Sequence, residues 1–145
     1  MKLEELVQKL DAANPWSTET VESVFCTKLA LSRSNDSFAV YTAGPFMYEE
    51  GLVIEEAHLR LKSPTNEMIR LILNLEDDTG CFTLNRIEKS WPDVQLDPST
   101  FPRGQSRDEK RHYRLERPWG QISFGFKERR PNCLASITFV PKTWP

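Results

Sequence analysis

A period of two governs the stretch Met68-Ile69-Arg70-Leu71-Ile72-Leu73-Asn74-Leu75. Every odd-numbered position is Ile or Leu, whereas the even-numbered positions include the polar residues Arg70 and Asn74. Because successive side chains of a strand project to opposite faces, the pattern predicts a β-strand with one buried face. A turn at residues 63–66 separates this strand from an earlier one that has the same period.

The earlier strand is predicted to place four apolar side chains on one face: Val53, Ala57, Leu59 and Leu61. Its other face is predicted to carry Ile54, Glu56, His58, Arg60 and Lys62. The same alternation predicts a hairpin over residues 28–42 and three antiparallel strands near residues 112–116, 121–127 and 133–139.

The first thirty residues have helical periodicity instead. Four apolar residues at i, i+3, i+4, i+7 spacing form one stripe: Leu3, Leu6, Val7 and Leu10. A second helix is predicted to follow Ser17 as its N-cap and to end near Cys26. Residues 81–91 are interpreted as a short strand followed by one helical turn. These elements predict an α+β fold, a single domain over residues 1–145 in which two N-terminal helices pack on an antiparallel sheet of about six to eight strands.

Charge is divided unevenly along the chain. Residues 1–99 carry 9 Lys and Arg against 17 Asp and Glu, a balance of −8, and residues 100–145 carry 10 against 4, a balance of +6. One interpretation is that the basic strands pack beside the acidic ones and neutralise them. The other is that one charged half meets a partner of opposite charge.

Three widely spaced cysteines, Cys26, Cys81 and Cys133, are an odd number, which favours free thiols over a disulfide framework or a zinc site. Cys133 is expected to be a buried thiol on a strand face with Ala135 and Ile137. The N-terminal residues lack the apolar run of a signal peptide or a membrane span. We therefore expect a cytoplasmic protein without a membrane partner.

Catalytic and cofactor motifs are not apparent in the sequence. His58 and His112 fall on charged strand faces, and Glu56 is the one potential metal ligand at short spacing from His58. A histidine and a carboxylate are too few for a metal site, and no phosphate-binding, dinucleotide-binding or nucleophile-elbow motif occurs. We therefore predict no metal, no cofactor and no enzymatic activity.

Residues 92–109 have no usable period, so the segment 93–109 is predicted to be mobile and to be cut early by proteases. Basic residues lie there and in the following strand: Arg103, Arg107, Lys110, Arg111, Arg114 and Arg117. Because acidic residues are interspersed among them, we interpret this set as a solvated strand face with local ion pairs and do not expect a nucleic-acid partner.

The candidate partner-binding residues are acidic and aromatic. Acidic clusters at or beside predicted connections supply Glu49, Glu50, Glu55, Glu56, Asp77 and Asp78. All four tryptophans adjoin a proline, which places them at the boundaries of elements. There they either cap the core or anchor a partner, and the candidate anchors are Trp91 and Trp119.

In outline, the chain resembles bacterial immunity proteins, the cytoplasmic antidotes of polymorphic toxins that are delivered by contact or by type VI secretion. The resemblance rests on Cys81-Phe82-Thr83-Leu84 leading to Ile87 and Trp91, on Trp119-Gly120-Gln121-Ile122-Ser123-Phe124-Gly125-Phe126 and on Cys133-Leu134. It implies a non-enzymatic inhibitor that binds one cognate protein toxin, often through acidic residues that cover a catalytic cleft. A secretion chaperone for an effector, and a small enzyme that uses His58 or a cysteine, are the alternative functions.

Overall fold

Two helices open the chain. The computed structural model describes residues 1–98 and 108–142, and in it helix α1 spans Leu3–Ala12 and helix α2 spans Thr18–Phe25. The predicted stripe of α1 is buried. Ser17 is the N-cap of α2, where its hydroxyl accepts a hydrogen bond from the backbone N–H of Thr20 at 3.2 Å. The two predicted N-terminal helices are therefore confirmed.

All strands within the described residues join one sheet. They are β1 (Ala30–Ser34), β2 (Phe38–Ala43), β3 (Phe46–Met47), β4 (Val53–Lys62), β5 (Met68–Leu75), β6 (Gln95–Leu96), β7 (Lys110–Arg117), β8 (Gly120–Lys127) and β9 (Leu134–Pro141). Their order in the sheet is β1-β2-β4-β5-β9-β8-β7-β6, with β3 added beside β4, and every pairing is antiparallel. Within the described residues the sheet has nine strands, two of which are only two residues long. The predicted α+β fold is confirmed.

The acidic and basic halves of the chain meet at the centre of the sheet, where β5 of the acidic half pairs with β9 of the basic half. Four ion pairs among the described residues join the halves elsewhere: Arg117 to Asp11 at 2.7 Å, Arg114 to Asp97 at 3.9 Å, Lys127 to Asp77 at 3.2 Å, and Arg129 to Asp77. The basic strands therefore neutralise part of the acidic half within the molecule.

One face of the sheet, here called the inner face, forms the core with the helices. Its fully buried residues include Ala57, Leu59, Leu71, Leu73, Ile122, Phe124, Ile137 and Phe139. The same cluster contains Leu6 of α1, Val21 of α2 and Ile87 of a third helix. Because burying one large apolar side chain contributes about 1.5–3 kcal/mol, this layer holds the helices on the sheet.

The prediction for β4 is wrong at Ile54, which is fully buried in the core instead of sharing a face with Glu56. The register between β4 and β5 shifts between Ile54 and Glu56, so a bulge lies at Glu55. A bulge inserts one extra residue into the alternation. As a result, Ile54 and Ala57 share the inner face, while Glu55 and Glu56 are both exposed.

Residues 81–91, all of which are described, contain no strand. The third helix, α3 (Leu84–Ser90), follows Thr83, whose hydroxyl accepts a hydrogen bond from the N–H of Arg86 at 3.3 Å. The carbonyl of Phe82 accepts a hydrogen bond from the N–H of Leu134 at 2.9 Å. The predicted strand before the helix is thus wrong, because the Thr83 cap begins the helix directly.

The prediction of three free thiols is also wrong. Cys81 and Cys133 form a disulfide with their Cα atoms 4.9 Å apart, and Cys26 is an exposed free cysteine. The two bonded cysteines are separated by 52 residues in sequence. They meet because the residues that follow them, Phe82 and Leu134, are joined by the backbone hydrogen bond described above. Cys133 is half-buried and precedes β9, so it is not a buried strand thiol beside Ala135.

Part of the segment that was predicted to be irregular is paired. Gln95 and Leu96 form β6 opposite Arg114 and Tyr113 of β7. A two-residue strand is too short to show a period, which explains why the sequence did not reveal it. Residues 99–107 of the same segment, which include Arg103 and Arg107, lie outside the described residues.

Candidate binding site on the open face of the sheet

The two faces of the sheet differ in what covers them. All three helices contribute to the core on the inner face, and no described helix packs on the other face, here called the open face. Residues that are directly opposed in neighbouring strands share a face, so the register arranges open-face side chains in rows across the sheet. One such row consists of Thr42, His58, Ile72, Thr138, Ser123 and Arg114.

A neighbouring row brings three arginines together. Arg33 of β1 lies opposite Val40 of β2, and Val40 lies opposite Arg60 of β4. Arg60 in turn lies opposite Arg70 of β5. We call Arg33, Arg60 and Arg70 the arginine row. Because neighbouring strands are about 4.8 Å apart, the three residues stem from a strip of sheet about 14 Å wide.

Phe38 lies against two members of the arginine row. The guanidinium carbon of Arg60 is 4.5 Å from the centre of the Phe38 ring, and that of Arg33 is 5.7 Å from it. Both distances fall within the range of cation–π attraction. Val40 is only 2% exposed although it lies outside the core cluster. Its burial is explained if the aliphatic stems of the flanking arginines cover it.

No carboxylate within residues 1–98 and 108–142 forms an ion pair with the arginine row. In the same part of the chain, the Nε atoms of Arg60 and Arg70 are buried and have no hydrogen-bond partner. Burial lowers the pKa of Arg60 below its ordinary value, and the charges of Arg70 and Arg33 lower it further. The row therefore holds like charges close together without neutralisation.

His58 lies beside the arginine row on β4. Burial is the main cause that lowers the pKa of His58 below its ordinary value, and the three arginines lower it further, while Glu56 acts in the opposite direction. Since the ordinary value is 6.5, the imidazole is neutral at pH 7. His58 thus adds no positive charge to the row under neutral conditions.

The other end of the open face is a polar cleft of ≈ 460 Å³. Its lining includes Glu55, Glu56, Asn74, Asp77, Lys110 and Lys127. The ammonium group of Lys110 donates a hydrogen bond to the hydroxyl of Ser136 at 3.1 Å, and burial together with the charge of Lys127 lowers the pKa of Lys110. In the polar cleft, Glu55 and Glu56 of β4 and Asp77, which follows β5, lie near Lys110 of β7 and Lys127 of β8.

A histidine and a serine lie close together next to this cleft. Nδ1 of His112 is 3.0 Å from Oγ of Ser123. Burial and the charge of Lys110 lower the pKa of His112, whereas Asp97 raises it, so the neutral imidazole that can accept a proton prevails at pH 7. Gly125 leaves room for this packing, because a Cβ there would lie 2.6 Å from Oγ of Ser136 and 3.1 Å from Cε1 of His112.

Half of the predicted acidic residues are engaged within the protein. Asp77 pairs with Lys127 and Arg129, Glu50 pairs with Arg86, and Glu49 lies 4.0 Å from the N-terminal amine. The other half, Glu55, Glu56 and Asp78, are exposed. No ion pair joins these three to another described residue. Glu55 and Glu56 are therefore the acidic residues most available to a partner on the open face.

The two candidate tryptophan anchors pack against the core. The ring of Trp91 stacks on Phe124 with centroids 5.4 Å apart. Trp119 meets Trp16 edge to face at 4.5 Å, and its indole N–H donates a hydrogen bond to Asp11 at 2.7 Å. Both rings are half-buried and cap the core, and neither belongs to the open face.

The sequence interpretation missed the arginine row, because its members come from three strands whose register is not visible in the sequence. Part of the signal was present. Arg60 and Arg70 were assigned to the polar faces of two consecutive strands, and they are nearly equidistant from the middle of the turn at residues 63–66. Pairing the strands symmetrically around that turn places Arg60 opposite Ile69, next to Arg70. The register shift between Arg60 and Leu61 then brings the two arginines opposite each other.

Neither a metal centre nor a membrane-spanning helix is found in the described part of the chain. There, no three His, Cys, Asp or Glu side chains are grouped so that they could hold a metal ion, and no helix is both long and apolar enough to cross a bilayer. Comparison of the chain with protein-family models, with curated proteins and with solved structures gave no match.

Proposed function

We propose that this protein is a non-catalytic binding module of the immunity type, which neutralises one cognate protein toxin or effector by binding it directly. The observation that carries the proposal is the open face, where β4 presents the exposed carboxylates Glu55 and Glu56 at one end and the unpaired Arg60 towards the other. Charges that are not neutralised internally contribute little to stability and are available for a complementary surface.

The acidic end of the open face is the proposed contact with the toxin. A toxin that acts on nucleic acid or a nucleotide needs a basic cleft, and exposed carboxylates complement such a cleft. The bulge at Glu55 supports this role, because it turns two consecutive carboxylates to the solvent where regular alternation would expose only one. Bulges often serve to re-aim side chains at functional sites.

Growth protection tests the proposal. The protein encoded by the neighbouring gene is co-expressed with this chain, and protection and association rate are measured for the wild type and for Glu55→Lys/Glu56→Lys. We expect the double variant to associate at least about tenfold more slowly at low salt, since steering charges act on the association rate. Its free energy of unfolding should stay within about 0.5 kcal/mol of the wild type.

Glu88→Lys provides the matched control, because Glu88 is an exposed glutamate on α3, away from the open face. The control should retain protection. If the neighbouring protein is neither toxic nor bound, the immunity proposal is wrong. If Glu88→Lys and the double variant lose protection equally, the acidic end of the open face is not the contact.

The site is proposed to work in the cytoplasm, where thiols are kept reduced. The disulfide between Cys81 and Cys133 bears directly on this part of the proposal. In the cytoplasm we expect these two cysteines to be thiols that close to the disulfide on oxidation. Alkylation of thiols in freshly lysed cells, followed by mass spectrometry, measures which form is present.

A small enzyme is the second candidate, and the observation that favours it is the His112–Ser123 pair. A neutral imidazole 3.0 Å from a hydroxyl can remove its proton and generate a nucleophile. A fluorophosphonate probe tests this candidate, because it labels activated serines covalently. Labelling that disappears in both Ser123→Ala and His112→Gln would favour the enzyme over the binding module.

A further inference from the structure

We infer that the arginine row, Arg33, Arg60 and Arg70, is a binding site for a polyvalent phosphate group, carried by inorganic pyrophosphate or by a nucleoside diphosphate. The inference goes beyond the proposed function and does not depend on it. A protein partner could be absent and the anion site would still exist, since every residue that forms it belongs to this chain.

Charge is the first argument. Three guanidinium groups share one strip of the open face, and none of them forms an ion pair within residues 1–98 and 108–142. Like charges held at this spacing repel one another. Other basic residues of the chain form ion pairs with carboxylates, for example Arg117 with Asp11 and Lys127 with Asp77. The arginine row is therefore a concentration of positive charge that an external anion can neutralise.

Orientation is the second argument. Phe38 holds the guanidinium groups of Arg60 and Arg33 by cation–π contacts at 4.5 and 5.7 Å. Guanidinium groups that are fixed in this way lose less entropy when they bind, and each presents a planar fork of N–H donors that matches phosphate oxygens. The contacts also occupy the Phe38 ring, which favours recognition of the phosphate itself over stacking of a nucleobase on that ring.

The buried donors are the third argument. The Nε–H groups of Arg60 and Arg70 are out of contact with solvent and lack an acceptor among the described residues. A buried donor without an acceptor opposes folding. A phosphate seated between the opposed Arg60 and Arg70 side chains would supply several acceptor oxygens, and small rotations of the side chains would bring Nε–H groups into contact with them.

The number of charges selects the class of anion. One arginine fork matches one carboxylate, whereas three guanidinium groups along one strip match an anion that carries several negative charges and several oxygens. A diphosphate meets both requirements. A monocarboxylate such as acetate meets neither, so it serves as the chemical control.

The experiment titrates inorganic pyrophosphate into the isolated protein, with binding followed by calorimetry. We expect saturable binding that weakens at least about tenfold in Arg60→Gln, Arg70→Gln and the more exposed Arg33→Gln, because each loses a charged fork. Lys89→Gln is the matched control, since Lys89 is an exposed cation on α3, away from the open face. It should retain affinity within about twofold.

A second measurement follows His58 by NMR. The positive charges of the row help to keep the pKa of His58 below its ordinary value. A bound anion offsets those charges, so the pKa of His58 should rise on binding, whereas that of His112 should stay unchanged. This readout comes from the wild type and does not require any variant to fold.

Parallel titrations with ADP, acetate and pyrophosphate separate the sources of the anion. Binding of ADP as tightly as pyrophosphate means that the diphosphate alone is recognised, and tighter binding of ADP means that the nucleoside adds contacts. The inference is overturned if pyrophosphate does not saturate the protein at millimolar concentration, if acetate binds equally well, or if Lys89→Gln weakens binding as much as Arg60→Gln does.

Discussion

The inner and open faces of the sheet belong to the same strands but follow different physical rules. On β5, the inner face carries Leu71 and Leu73, which are fully buried, whereas the open face carries Arg70, Ile72 and Asn74, which are half-buried. The buried residues that the inner face contributes to the core are apolar. The open face combines apolar and charged residues. Its arginine row places three like charges close together, and their repulsion lowers stability.

This difference separates residues that maintain the fold from residues that are available for function. Removing apolar surface from water is the largest favourable contribution to folding, and the inner face accounts for it. An unneutralised group of like charges adds no comparable stabilisation to the folded state. The open face is therefore the part of the molecule whose residues need an explanation other than stability.

Two adjacent residues on β5 give the sharpest test of this difference. Leu73→Ala should lower the free energy of unfolding by about 3–4 kcal/mol, because it leaves a cavity in a closely packed core. Ile72→Ala removes similar volume from the open face and should cost about 1 kcal/mol, since the side chain is already half-exposed. Urea denaturation measures both values. Equal costs would show that something covers the open face in solution.

The disulfide provides a test of the layer that covers the inner face. Cys81 precedes α3, and its bond to Cys133 ties that helix to the start of β9. Closing a loop of this length should stabilise the folded protein by about 2–4 kcal/mol. Reduction, or Cys81→Ser, should therefore lower the midpoint of urea denaturation and loosen the contact between Trp91 and Phe124, which fluorescence would detect.

Cys26→Ser is the control for the disulfide, because Cys26 is free and exposed. It should change neither stability nor fluorescence. The denatured protein should titrate as one free thiol when it is purified without reductant. Three free thiols under that condition would mean that the bond does not form, and the stabilisation attributed to it would be wrong.

The regular parts of the sheet could be predicted from the sequence because each strand face is uniform. The alternation at Ile69, Leu71 and Leu73 and the stripe on α1 both identify the buried side chains correctly. Prediction failed where one local event interrupts the period. The bulge at Glu55 reverses the faces of β4 near Ile54, and the Thr83 cap begins a helix where a strand was expected.

The candidate site could be predicted only in part, because it depends on contacts between strands. Glu55 and Glu56 were identified as candidates from sequence, although their shared exposure follows from the bulge. The arginine row and the disulfide join residues that are distant in the chain. Their formation depends on the strand order, in which β9 returns to lie beside β5, and a single sequence does not contain that information.

Two arginines in different environments give a smaller effect that sharpens the comparison. Arg86 pairs with Glu4 and Glu50, and its guanidinium carbon lies 4.3 Å from the centre of the Phe82 ring. Because Arg86 is partly exposed, Arg86→Gln should lower the free energy of unfolding by only about 1 kcal/mol. Arg70→Gln should be neutral or stabilise by up to about 0.5 kcal/mol, because it relieves repulsion from Arg60.

Salt distinguishes these two arginines further. Added salt screens repulsion as well as attraction between exposed charges. The effect of Arg70→Gln should therefore diminish between 0.05 and about 0.5 M salt, whereas the cation–π contribution of Arg86 should persist. A cost for Arg70→Gln that exceeds the cost for Arg86→Gln would show that the arginine row supports the fold, and it would remove the reason for assigning the row to a ligand.

The smallest expected effect is the pH dependence that arises from the two open-face histidines. Burial lowers the pKa of both His58 and His112 in the folded protein, while in the unfolded chain the pKa stays near 6.5. Below pH 6.5 the unfolded state therefore binds more protons than the folded state does. The contribution of the two histidines to stability is complete above that pH and is lost as the pH falls towards the pKa values they have in the folded protein. We expect the free energy of unfolding to decrease between pH 7 and about 5, and we expect His58→Gln/His112→Gln to flatten this slope in urea denaturation series. An unchanged slope in the double variant would assign the pH dependence to the carboxylates of the ion pairs, and the histidines of the open face would then be as solvated as those of an unfolded chain.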